Sequence, residues 1–104
     1  MITSVQNPKI QWVRKLQSQA RQRREEGVFV VEGVRLVEEA LAAGWQARLV
    51  LHTGALQERG VQVVQGFLRQ GAPVEEVSEG VMESASDTQT PQGLLAVVEA
   101  RLLP

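Results

Sequence analysis

Hydrophobic residues in this chain alternate between helical spacing and short unbroken runs. The stretches with helical spacing predict four helices, over about residues 8–26, 34–41, 56–70 and 79–86. The short apolar runs predict four strands, over about residues 28–31, 47–52, 73–77 and 94–98. Helices that alternate with strands predict an α/β fold with a mostly parallel or mixed sheet between helical layers.

The first predicted helix has sequence signals at both of its ends. Asn7 can cap the helix, Pro8 suits its first position, and Gly27 suits the position just after its end. Because no glycine or proline lies between them, the pattern predicts one helix over about residues 8–26. Its apolar face consists of Ile10, Trp12, Val13, Leu16 and Ala20.

Two later apolar stretches predict which residues are buried. The unbroken run over residues 94–98 is typical of a strand that is covered on both faces. In the helix over residues 56–70, helical spacing selects the side chains that should face the core. These are Val61, Val64, Phe67 and Leu68.

Length and composition predict one globular domain. The chain has 104 residues, of which 43% are hydrophobic and 22% are charged. The sequence has no cysteine, which excludes disulfides, cysteine-ligated zinc and thiol catalysis. Its apolar runs are too short to cross a bilayer, and its first residues lack the apolar stretch of a secretory signal peptide. We therefore expect a cytoplasmic protein.

The charge is distributed unevenly along the chain. Residues 1–24 carry a net charge of +6 and contain no acid, whereas residues 25–104 carry −7. A basic segment of this kind favours contact with a polyanion such as RNA, although a solvated helix face is an equally good interpretation. The cations that we expect to contact phosphate are Lys9, Arg14, Arg21, Arg23 and Arg24.

Two further positions could contact an anionic or polar ligand. Arg35 follows Gly33 at the start of the second predicted helix, where free backbone N–H groups and a guanidinium could meet a phosphate. The alternative for Arg35 is a pair with Glu39 one turn later. The polar loop before the last strand offers Thr90, Gln92 and Gly93, which could bind RNA or form only a structural turn.

Candidate catalytic chemistry is scarce. His52 is the only histidine, so no pair of histidines or nucleophile–base pair can be assembled around it. The glycines do not have the spacing of a phosphate-binding loop, and no residue set predicts a metal site. Trp12 and Trp45 could stack on bases, but Trp12 lies on the apolar face of its helix. We therefore expect no catalytic residue in this chain.

Three segments resemble one family in their order and spacing. Residues 2–10 and 21–40 resemble the opening of the SpoU/TrmH RNA 2′-O-ribose methyltransferases, and residues 86–93 resemble that family's S-x-T-x-x-P-Q-G junction. Together they cover nearly the whole chain. The resemblance implies the family's N-terminal substrate-binding domain over residues 1–100, with residues 101–104 as the start of a linker to an absent catalytic knot domain.

The resemblance also implies a fold, a cofactor and partners. The expected fold is a three-layer α-β-α sandwich with a mixed four-stranded sheet, similar to the ribosomal proteins that bind kink-turn RNA. S-adenosylmethionine would bind the absent domain and no cofactor would bind this chain. The partner would be RNA, with ribosomal RNA as the expected substrate, and the parent protein would be a homodimer through the missing domain.

One departure from the related ribosomal proteins affects the expected RNA shape. Those proteins use an asparagine and a lysine at the start of the helix after their first core strand, where this chain has Arg35 and Glu39. The acidic residue argues against the same kink-turn recognition. Two alternatives to a methyltransferase domain also stay open: a free-standing RNA-binding protein of the ribosomal type, and a module that binds another protein.

Overall fold

The computed structural model describes residues 1–88 and 91–100, in which helices and strands alternate almost as the sequence pattern predicts. The predicted linker residues 101–104 lie outside the described residues. The helices are α1 (Pro8–Ser18), α2 (Ala20–Glu26), α3 (Val34–Ala42), α4 (Glu58–Arg69) and α5 (Glu79–Ala85). The strands are β1 (Val28–Glu32), β2 (Ala47–His52), β3 (Val74–Glu76) and β4 (Leu94–Glu99).

The last strand in the sequence lies in the middle of the sheet. The strand order is β1-β4-β2-β3, in which β4 is antiparallel to both of its neighbours and β2 is parallel to β3. Beyond β3, Ile2 forms an isolated bridge with Val77. The predicted mixed four-stranded sheet is therefore confirmed.

Hydrophobic side chains cover both faces of this sheet. On one face, Leu95 and Val97 of β4 join a core formed with α1 and α5. On the other face, Leu94, Ala96 and Val98 join a core formed with α3 and α4. All five of these residues are buried, because alternate side chains of a strand point to opposite faces. The three-layer arrangement and the two-sided burial of this run are confirmed.

The prediction of one helix over residues 8–26 is wrong. The helix ends at Ser18, and Gln19 has an extended backbone with φ −128° and ψ 101° before α2 begins. The guanidinium of Arg23 donates to the carbonyl oxygens of Leu16 and Gln17, which the end of α1 leaves without helical partners. The break is stabilised by this contact between the two helices. It needs no glycine or proline, and the sequence therefore shows no local signal for it.

Part of the predicted burial in α4 is also wrong. Val61 and Leu68 are 42% and 54% exposed, whereas Val63 is buried beside the correctly predicted Val64 and Phe67. Helical spacing allowed two neighbouring faces, and packing against the sheet selects the one that carries Val63. In α1, Ile10, Val13 and Leu16 are buried as predicted, but Ala20 is exposed because it belongs to α2.

A half-buried tryptophan ties the first helix to the end of the second. Trp12 Nε1 donates to Glu26 Oε1 over 2.9 Å, and Gln22 donates to the same carboxylate. These hydrogen bonds, that of Gln22 first, lower the pKa of Glu26, and the nearby charge of Arg48 adds to the effect.

Within the described part of the chain, no helix is long and apolar enough to span a membrane.

Removing a side chain from the central strand should destabilise the domain far more than removing an exposed leucine. We expect Leu95→Ala to lower the free energy of unfolding by about 2–5 kcal/mol, because the change leaves a cavity under α1 and α5. The matched control, Leu36→Ala, removes a side chain that is 54% exposed and should cost less than about 0.5 kcal/mol. Urea unfolding of both variants measures the difference, and equal losses would contradict the assignment of β4 to the core.

The lowered pKa of Glu26 predicts a contribution to stability that depends on pH. A carboxyl group whose pKa is lower in the folded state stabilises the fold above its ordinary value of 4.5. This stabilisation is lost as the pH falls through the lowered value. As the pH falls from about 6 to about 3, we therefore expect the free energy of unfolding to decrease less in Glu26→Gln than in the wild type. Urea unfolding at each pH measures this decrease. Parallel losses in the two proteins would show that the hydrogen bonds of Glu26 with Gln22 and Trp12 do not set this dependence.

Candidate nucleic-acid interface

Loops from three strands meet at one end of the sheet. The backbone N–H of Gly33, just after β1, donates to Leu94 O at the start of β4 over 2.9 Å. On the other side of β4, the N–H of Thr53, just after β2, donates to Gly93 O over 3.0 Å. Because β4 is antiparallel to both neighbours, its beginning lies beside their ends. The structure therefore brings Gly33, Gln92 and Gly93 together, as a site would require.

Both glycines are needed for the loops to approach this closely. Gly33 and Gly93 have φ values of +91° and +82°, a conformation that side chains disfavour. A Cβ atom on Gly33 would lie 2.9 Å from Gln92 Oε1, and one on Gly93 would lie 2.7 Å from Thr53 Oγ1. Larger residues at these two positions would push the loops apart.

Gln92 is the exposed centre of this surface. Its Oε1 accepts a hydrogen bond of 3.3 Å from the N–H of Val34 and so caps the start of α3. Its amide nitrogen has no partner among the described residues, so it can donate to a ligand. Three open grooves share this side chain: one of about 330 Å³ beside Glu79 and Glu83, one of about 280 Å³ beside Glu32, and one of about 440 Å³ beside Arg35.

Arg35 extends from the first turn of α3 into solvent. Its Nε lies 3.5 Å from Glu39 Oε1, so the pair considered as the alternative from the sequence is present. The Arg35 side chain is nevertheless 84% exposed, and an exposed pair of this kind contributes little to stability. A phosphate could therefore replace Glu39 as its partner. In the same groove, Arg59 is bound to Glu38, and this hydrogen bond lowers the pKa of Glu38 and raises that of Arg59.

Glu32 organises the loop that leads to Gln92, and the sequence reasoning missed it. Its carboxylate accepts from the Ser86 hydroxyl, from the Asp87 N–H over 2.9 Å and from Gln17 Nε2 over 2.9 Å. These donors come from the C-cap of α5, the loop after it and α1. In the sequence, Glu32 is an acidic residue at the end of an apolar strand. Such a residue is usually interpreted as a solvated side chain, so this signal did not identify it.

The basic residues of α1 and α2 differ in their availability. Lys9 is bound to Glu75, whose pKa this hydrogen bond lowers, and Arg21 pairs with Glu25 over 2.8 Å. Arg23 is engaged by carbonyl oxygens of α1, as described above. Among the described residues, Arg14 and Arg24 have no hydrogen-bond or ion-pair partner.

The tryptophans and the histidine do not add to this surface. Thr90 lies outside the described residues. Trp12 is held by Glu26, and Trp45 packs edge-to-face on Phe29 with ring centroids 4.8 Å apart. His52 is half-buried, and the described residues contain no group of side chains that could hold a metal ion.

Comparison with solved structures gives the same fold for the whole domain. An rRNA methyltransferase from Sinorhizobium meliloti superposes with a TM-score of 0.84 and 30% identity, covering 99% of this chain and 38% of that chain. A further structure of an rRNA methyltransferase from that organism contains bound AdoMet. The 15.5 kD RNA-binding protein of Giardia lamblia has a TM-score of 0.62 at 13% identity, covering 85% of this chain and 68% of that chain, and shows a similar fold.

Comparison of sequences identifies the family. An uncharacterised tRNA/rRNA methyltransferase from Synechocystis is 31% identical over 97 residues, which are 93% of this chain and 35% of that protein. The chain thus spans about a third of the length of this relative. Residues 7–96 match the model of the MRM3-like substrate binding domain. An RNA methyltransferase of the TrmH family from Porphyromonas gingivalis superposes with a TM-score of 0.71 and 28% identity, covering 97% of this chain and 38% of that chain. The predicted resemblance is confirmed, and the chain belongs to the family of MRM3-like substrate-binding domains.

Proposed function

We propose that this chain is the RNA-binding domain of an S-adenosylmethionine-dependent RNA 2′-O-ribose methyltransferase that acts on ribosomal RNA. The observation that carries the proposal is the surface around Gln92. It combines an exposed amide donor, an exposed guanidinium on Arg35 and the first turn of α3. Amide and guanidinium donors of this kind suit the phosphates, sugars and base edges of RNA.

The chemical step belongs to the part of the parent protein outside this chain. The related methyltransferases are almost three times as long, and AdoMet is bound in one of them. We propose that the domain covers residues 1–100, with residues 101–104 opening a linker to the catalytic part. In this proposal S-adenosylmethionine binds there, the parent pairs as a homodimer through that part, and the protein works in the cytoplasm.

The domain would contribute to methylation by positioning its substrate. Gly33 and Gly93 keep the loop surface narrow enough for Gln92 and Arg35 to reach one RNA segment together. Arg14 and Arg24 would bind phosphates directly, and Lys9 and Arg21 would exchange their surface carboxylates for phosphates. Arg23 would keep its place against α1 and contribute only charge. Holding a ribose in place in this way can lower a reaction barrier by several kcal/mol without local chemistry.

RNA binding should depend strongly on salt if phosphate contacts hold the complex. We expect the domain to bind a ribosomal RNA fragment at about 50 mM salt and to lose about tenfold or more in affinity at about 200 mM. Fluorescence anisotropy with a labelled fragment measures both constants. Absence of binding at the lower salt would favour a protein-interaction module, and binding that ignores salt would contradict the assigned phosphate contacts.

Removing the amide of Gln92 should weaken RNA binding. We expect Gln92→Ala to lower the affinity about fivefold to tenfold, which corresponds to the loss of about one good hydrogen bond. Gln62→Ala is the matched control, because Gln62 is an exposed residue of α4 that lines none of the three grooves around Gln92. Circular dichroism at the assay temperature verifies that both variants are folded. Equal affinities of the two variants would exclude Gln92 from the interface.

A further inference from the structure

A second groove runs along α1, on the side of the sheet that carries α5. Its volume is about 690 Å³, larger than each of the three grooves around Gln92. Gln22 of α2 and Ser84 of α5 border it, and the half-buried ring of Trp12 lines it. An open groove of these dimensions can take a strand of nucleotides.

The charge of this groove suits phosphates better than that of two of the three grooves around Gln92. Arg14 and Lys15 line it, both are exposed, and neither side chain has a hydrogen bond or a salt bridge among the described residues. The described lining contains no carboxylate, which is also true of the groove beside Arg35 and Arg59. The other two grooves around Gln92 include Glu32, Glu79 and Glu83. Exposed cations without a salt bridge suit a phosphate backbone. The carboxylate of Glu26, whose charge acts on Lys15, is already held by hydrogen bonds from Trp12 and Gln22.

Three glutamines give the groove a second chemical property. The side-chain N–H groups of all three donate hydrogen bonds within the protein. Gln11 donates to Val5 O over 2.7 Å, Gln17 to Ala85 O over 3.1 Å, and Gln22 to Glu26. The side-chain carbonyl oxygens of the three residues have no partner among the described residues. The groove therefore combines cations with unused hydrogen-bond acceptors.

Acceptors bind the exocyclic amino groups of bases and the ribose 2′-hydroxyl. Because base pairing engages one N–H of each amino group, a single strand offers these acceptors more donors than a duplex does. We propose, building on the RNA binding proposed above, that this groove binds a single-stranded segment of the RNA substrate. Arg14 and Lys15 hold its phosphates, and the three glutamine oxygens accept from its bases and sugars.

The groove is connected to the surface around Gln92 through one carboxylate. Gln17 lines the groove and donates to Glu32, which also holds the N–H of Asp87 in the loop that leads to Gln92. Glu32 itself lines one of the Gln92 grooves. One RNA strand can therefore follow α1 to the end of the sheet and contact both surfaces.

The two tryptophans provide a local readout, since Trp12 lines the groove and Trp45 packs on Phe29 on the opposite face of the sheet. The probe is a mixed-sequence single strand of about 12 nucleotides, compared with the duplex of the same sequence. In a Trp45→Phe variant, we expect the single strand to change the fluorescence of Trp12. In a Trp12→Phe variant, we expect it to leave the fluorescence of Trp45 unchanged. If the fluorescence of Trp12 did not change when the single strand saturates the protein, the groove assignment would be overturned.

A matched pair of arginine variants tests the cations. We expect Arg14→Gln to weaken binding of the single strand about tenfold, because it loses a charge-assisted contact. Arg69→Gln makes the same change on α4, at another exposed arginine without a partner among the described residues, and should stay within about twofold of the wild type. Equal affinities of the two variants would overturn the proposal.

The same titrations separate failure of this inference from failure of the proposed function. If neither the strand nor the duplex binds the wild type at low salt, RNA binding itself is contradicted. If RNA binds while Arg14→Gln and Trp12 remain unaffected, the domain binds RNA elsewhere. The groove and the phosphate contact of Arg14 are then contradicted, whereas RNA binding by the domain is not. Equal affinity for strand and duplex would overturn the preference for single-stranded RNA.

Discussion

β4 pairs with β1 on one side and with β2 on the other, and residues 94–98 are buried from both faces of the sheet. This burial determines where the strand begins, because a shift by one residue would turn every apolar side chain to the wrong core. With the start of β4 held in place, Gly93 must lie beside Thr53, and Gly33 must lie beside Leu94. The surface around Gln92 is thus a consequence of how the central strand packs.

Glu32 extends this order from the sheet to the loop after α5. It is the last residue of β1, and its carboxylate binds donors from α1 and from residues 86 and 87. A carboxylate that satisfies several donors can hold a loop that has no regular structure of its own. Through Gln17, the same residue connects the groove along α1 with the loop that leads to Gln92. The two proposed RNA surfaces therefore share a structural support.

Hydrophobic periodicity was sufficient to predict the layers and the mixed sheet, because burial on one or both faces leaves a direct trace in residue order. The run over residues 94–98 is the clearest example. The break at Gln19 could not be predicted, since it depends on Arg23 reaching the carbonyl oxygens of α1. The choice between Val61 and Val63 in α4 likewise depended on how the helix rotates against the sheet.

Prediction of the candidate site was less complete for the same physical reason. Gly33, Arg35, Gln92 and Gly93 could be singled out because turn chemistry and helix starts have local signals. The net charge of a segment does not show which of its cations already have partners. Arg23 is bound by a carbonyl oxygen of α1, and Lys9 is bound by Glu75, which lies far away in the sequence. The roles of Glu32 and of the glutamine oxygens could be identified only from the hydrogen bonds in the structure, which join residues far apart in the sequence.

An amide-resolved NMR titration of the domain with single-stranded ribosomal RNA tests whether RNA contacts the end of the sheet around Gln92 and continues along α1. If it does, chemical shifts change at residues 33–35, at residues 91–93 and along residues 11–18, with little change on the exposed side of α4. Changes concentrated on α4 around Val61 and Leu68, with the end of the sheet unaffected, would contradict it.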